Sequence, residues 1–184
     1  MADRTEARIL PLAGSFAGPM AWLIALTTIP LVIAIVVLAV VATHAAHTPA
    51  APPVFALIAV PATIALAQFF IIRSIRRAGV SIEGGELVIK TGIGTKRVQL
   101  SNLRTHGLRI INLNAQSQLK PWLRTMGVGL PGFASGWFRL RNGEKAVCVL
   151  LERNRVSHLR SDADNLTLLL SLAEPDRLRS YLER

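Results

Sequence analysis

The chain has 184 residues, 51% of them hydrophobic, a mean hydropathy of +0.42 and a formal net charge of +10. Its one cysteine, Cys148, excludes an intrachain disulfide and reads as a small buried residue in the apolar run AVCVLL. The charge is uneven: 19 Lys+Arg and 9 Asp+Glu follow residue 72, so the first third is apolar and the remainder, long enough for one small domain, carries the whole excess.

From Ile9 to Ile72 there is no Asp, Glu, Lys or Arg. This run holds two apolar blocks, Met20 to Ala42 and Val54 to Ile72, separated by HTPAAPP at His47 to Pro53. A bilayer core takes about 20 apolar residues per helix, so each block predicts a membrane span. Residues 1–19 are then a cytoplasmic segment, and 20–72 a transmembrane helical hairpin with helices at 20–43 and 54–72. The first block is longer than a signal-peptide core and is followed by a second, which argues against a cleaved leader. Arg4 and Arg8 precede the first block, and Arg73, Arg76 and Arg77 follow the second. The connection has no Lys or Arg, so the charge rule predicts a multi-pass protein of the bacterial cytoplasmic (inner) membrane, with both termini cytoplasmic and His44 and His47 outside. Neither block places an ionisable residue at mid-membrane depth, which argues against transport.

A basic juxtamembrane linker at 73–79 leads to a cytoplasmic domain at 80–184. Here the pattern shortens to strands: Val80 to Ile82, Glu86 to Lys90, Lys96 to Leu100 and His106 to Leu113. Gly136 to Arg141 is followed by Asn142-Gly143, a strong hairpin signal, and Lys145 to Leu151 returns from it. Arg155 to Leu159 and Leu166 to Leu170 predict two more strands. Leu178, Tyr181 and Leu182 after Glu174-Pro175-Asp176 predict a terminal amphipathic helix, with proline and acid in its first turn.

This order, with the run GVGLPGFASGWFRLRNGEKAVCVLL at Gly127 to Leu151, resembles the bacterial pleckstrin-homology-like (PH) domains of small two-span membrane proteins. The matching features are the Pro-Gly-Phe turn within Leu130 to Phe133, the Gly-Trp-Phe strand start, the Asn-Gly hairpin and the LLLS strand before the last helix. The resemblance covers 80–184 and implies a mainly-β barrel of about seven antiparallel strands, closed by a C-terminal helix. It implies a binding module with no catalytic activity and no cofactor.

Three kinds of partner fit these residues. Anionic membrane lipids would meet Arg73, Arg76, Arg77, Lys90, Lys96 and Arg97, because juxtamembrane cations gain roughly 1 kcal/mol each near an anionic leaflet. Lys90, Lys96 and Arg97 approximate the Lys-x(n)-Lys/Arg-x-Arg pattern of lipid-binding PH domains, and Val98 departs from it. The segment Asn112 to Ser135 reads as a long loop, with Lys120, Trp122, Arg124 and Phe133 as a candidate interface. Its aromatic residues either meet the membrane or pack on the barrel. A protein partner, including a second copy in a homo-oligomer, could add to an exposed strand edge.

Other classes fit less well. Gly127 to Gly132 matches GxGxxG, but it leads into strands where a dinucleotide site needs a helix. His44 and His47 lack further metal ligands, and His106 and His158 sit in no catalytic motif. The basic charge is spread along the tail without an aromatic RNA-binding motif, so no nucleic-acid partner is expected. The sequence therefore points to a non-catalytic binding or scaffolding module at the inner leaflet. The alternative is an accessory subunit of a membrane complex, with the barrel holding a protein.

Overall fold

Apolar residues fill every face of the first long segment, and helix is the conformation that closes its backbone hydrogen bonds internally. In the computed structural model, which describes residues 8–45, 54–103 and 107–183, α1 covers Ala17–Ala45 and α2 covers Val54–Arg77. Arg4, the connection around 47–53 and His106 lie outside the described residues. The Ser15 hydroxyl accepts the Ala17 N–H at 3.1 Å, satisfying a donor at the α1 start. Pro30 lies inside α1; one turn before it, the Thr27 and Thr28 hydroxyls donate to the carbonyls of Leu23 and Ile24 at 2.8 and 2.7 Å. α2 ends on Arg76 and Arg77, cations that suit the negative end of a helix dipole.

Alternating apolar residues build the rest. One sheet has the order β1 (Arg8–Leu10), β2 (Gly79–Glu83), β3 (Glu86–Lys90), β4 (Thr95–Gln99), each pair antiparallel. The second contains β5 (Arg109–Ile111), β6 (Pro121–Leu130), β7 (Phe133–Leu140), β8 (Lys145–Leu150), β9 (Val156–Ser161) and β10 (Leu166–Leu170). Its order is β5-β9-β10-β8-β7-β6, and the central β8–β10 pair is parallel. Helix α3 spans Pro175–Leu182.

The two sheets share a core. Val80, Ile82, Leu87, Ile89 and Val98 of the first sheet cluster with Val147, Val149, Leu159, Leu168 and Leu170 of the second, and Leu178 and Leu182 of α3 join them. The other face of the second sheet buries Phe138, Leu140, Ala146, Cys148, Leu150 and Leu169. Burial pushes the Cys148 thiol far above its ordinary range, so it stays protonated and unreactive.

β1 joins the N-terminal segment to this domain. Leu10 is 3% exposed within the main core, Leu12 bridges Leu172, and the Ala13 and Ala173 amides donate to the Ser171 and Pro11 carbonyls, each at 2.9 Å. The β domain thus includes Arg8–Leu10, and α1 and α2 are inserted between its neighbouring strands β1 and β2. At their roots, Leu23 and Ile75 pack with Phe133 and Leu151, and the Gln68 amide donates to the Thr27 hydroxyl.

These findings correct two expectations. The predicted transmembrane hairpin followed by one seven-strand barrel is not formed: among the described residues ten strands lie in sheets of four and six. The barrel fails because β1 and β6 add strands that the pattern did not reveal, and because β10 inserts parallel to β8. The multi-pass assignment is also overturned. Among the described residues one stretch, Ala17–Val37 near the N-terminus, is long and apolar enough to cross a membrane.

Candidate functional site

The root of α2 positions the first group of cations. Ile75 turns inward at 2% exposure, so the helix presents Arg73, Arg76 and Arg77 to solvent, at the i, i+3, i+4 spacing of one face. Lys90 ends β3 opposite Gly79, which follows α2 directly, and is also exposed. None of these four makes an ion pair among the described residues. The Thr91–Gly94 turn beside them is closed by the Thr91 N–H and hydroxyl on the Gly94 carbonyl, both at 2.8 Å, and leaves Ile93 exposed. Its Gly92 packs directly on Ser74 of α2, where a side chain would clash.

Lys96 and Arg97 are placed differently. Lys96 pairs with Asp164 at 2.9 Å, linking β4 to the β9–β10 turn. Arg97, on the opposite face, lies 3.5 Å from Glu86 and 3.9 Å from Glu83. The six predicted headgroup residues therefore divide into four free cations at the helix root and two occupied by carboxylates.

The segment read as a loop is mostly strand. A short 3₁₀ turn at Ser117–Leu119 precedes β6, which pairs with β7 along the edge of the second sheet. Register shifts at Pro121/Leu123 and Arg124/Met126 kink β6. Trp122, Leu123 and Met126 are 70%, 56% and 51% exposed, an unusual concentration of apolar surface on one edge strand. Arg124 is exposed on the same strand, and Lys120 is half-buried at its start. Phe133 is not at the surface: it is 2% exposed, packed in the seam with Leu23 and Ile75 and 6.3 Å from the Phe16 ring.

Sequence reasoning passed over Arg141, whose guanidinium lies 5.2 Å from the centre of the Trp122 ring, a cation–π distance. The signal was Arg141 directly before Asn142-Gly143, which the hairpin brings back to the start of β6. The Arg141 N–H donates to the Lys120 carbonyl at 3.2 Å, holding the two cationic residues together.

Comparison with protein-family models, with curated proteins and with solved structures gives no match for this chain.

Proposed function

We propose that this protein is a membrane-anchored, non-catalytic binding module. Its anchor is α1, and its β domain rests at an anionic membrane surface through Arg73, Arg76, Arg77 and Lys90. The observation that carries the reading is the surface of α1. Trp22, Ile24, Leu26, Ile29, Val32, Ile33 and Val36 are each more than half exposed, and only 6% of the Ala17–Val37 stretch is buried by the rest of the chain. A helix that is apolar all round must be buried by something, and a membrane is the environment that covers every face. The unpaired arginines at the root of α2 then stand where headgroups would be, each contributing roughly 1 kcal/mol near anionic lipid.

Vesicle flotation of the full chain, with neutral or anionic lipids at two salt concentrations, tests this. The chain is expected to float with both lipids at both salts, because apolar insertion does not depend on charge, and in a larger fraction with anionic vesicles at low salt. The variant Arg73→Gln/Arg76→Gln/Arg77→Gln should still float but lose the preference for anionic vesicles seen at low salt. Failure to float with either lipid would contradict the reading and leave a protein partner as the cover of α1.

A further inference from the structure

The outer face of the second sheet carries a groove of about 750 Å³ beside β6 and β7. Its walls include Leu113, Ala134, Phe138 and Leu150, and the first, third and fourth of these belong to the buried apolar cluster of that face. Lys120, Arg141 and Arg153 also line it, and no Asp or Glu does. None of these cations has an ion-pair partner among the described residues. Two backbone bonds fix all three in the wall: Arg141 N–H to the Lys120 carbonyl at 3.2 Å, and Leu113 N–H to the Arg153 carbonyl at 2.9 Å. Trp122 stacks under the Arg141 guanidinium at one end. At the other, the groove is bounded by Leu130 to Phe133, where Gly132 faces Pro19 in the first turn of α1. Along β6 these ends are roughly 26 Å apart, at about 3.3 Å per residue from Trp122 to Leu130.

We infer that this groove binds one acyl chain bearing an anionic head, with the chain on the apolar floor and the head between Lys120 and Arg141. Volume and lining suit it: ligand sites are commonly about 300–1,000 Å³, mostly apolar, with few polar groups fixing orientation. Charge complementarity selects the occupant, since three unpaired cations and no carboxylate favour an anion. The inference rests on the membrane reading only for the source of the ligand, because the groove ends at the root of α1.

The test is fluorescence quenching of Trp122 in the full chain carrying Trp22→Phe and Trp137→Phe, in nonionic detergent micelles. It reads the groove whether or not α1 enters a bilayer. The probe is dibromostearate, with its neutral methyl ester as control. Saturable quenching by the acid, with the ester at least about tenfold weaker, is expected from charge-assisted hydrogen bonding. Lys120→Gln/Arg141→Gln, two changes outside the buried clusters, should weaken the acid to the level of the ester. Competition by unlabelled stearate and by a stearoyl lysophosphatidate then tells a carboxylate head from a lipid phosphate. Equal quenching by acid and ester, or binding unmoved by the double substitution, would overturn the inference.

Discussion

Adding one methyl group at Gly136 is expected to destabilise the β domain by about 2–6 kcal/mol, from backbone strain of about 1–3 and overpacking of about 1–3 kcal/mol. Gly127 and Gly136 face each other across β6 and β7, with φ of +145° and +132°, which side-chain-bearing residues rarely adopt. The strands approach so closely there that a Cβ on Gly136 would lie 2.6 Å from the Gly127 Cα and closer still to the Met126 carbonyl. A Cβ on Gly127 would meet the Gly136 Cα at 2.8 Å and the Ser135 carbonyl. Backbone atoms cannot swing aside, so β6 must shift. Denaturant unfolding of Gly136→Ala in micelles should show the loss, whereas Gly94→Ala, with open space and no positive φ, should change little. An unchanged midpoint for Gly136→Ala would refute the close approach.

The second large effect concerns β1. Leu10→Ala should cost about 2–5 kcal/mol, the range for a buried leucine truncated to alanine. Removing residues 1–13 should cost more. It also takes away the ladder on β2 and the bonds linking Ala13 to Ser171 and Pro11 to Ala173, each worth roughly 1 kcal/mol. Hydrogen exchange reads this directly: protection should fall first at Val80 and Ile82 and in the Ser171–Ala173 stretch. Equal protection in the chain lacking residues 1–13 would mean that β1 is dispensable.

The same contacts explain which parts of the fold were legible in sequence. β3 and β10 match their expected spans at both ends, and β2, β4 and β7 to β9 lie within a few residues of theirs, because each alternates or ends in its own turn chemistry. Asn142-Gly143 turns as expected, with Gly143 at φ +89° and the Asn142 carboxamide accepting the Glu144 N–H. β1 escaped notice because three residues, Arg-Ile-Leu, carry no period, and only the distant β2 makes them a strand. β6 escaped because Pro121, two glycines and its exposed edge break the alternation that marks a strand. The glycine pattern that mimics a phosphate loop has a steric cause at Gly127, which must meet Gly136.

The candidate site was half legible. Cations at a helix root follow from local spacing, so Arg73, Arg76 and Arg77 could be read directly. The neutralisation of Lys96 depends on Asp164, brought close only by the packing of two sheets. Trp122 was visible as an interfacial residue, but its partner Arg141 arrives through the β6–β7 pairing. Phe133 looked like an interface residue because the sequence does not show that α1 and α2 root on it.

The central claim is that α1 lies in the hydrocarbon of a membrane. It is most directly tested by quenching with lipids brominated at defined depths, in a chain with Trp22, Trp122 and Trp137 replaced by Phe and the single reporter Val32→Trp. Val32 is exposed and stands about 15 Å further along α1 than Trp22, at 1.5 Å per residue. Strong quenching by deep bromines is the predicted result. Fluorescence indifferent to bromine at every depth would contradict the account.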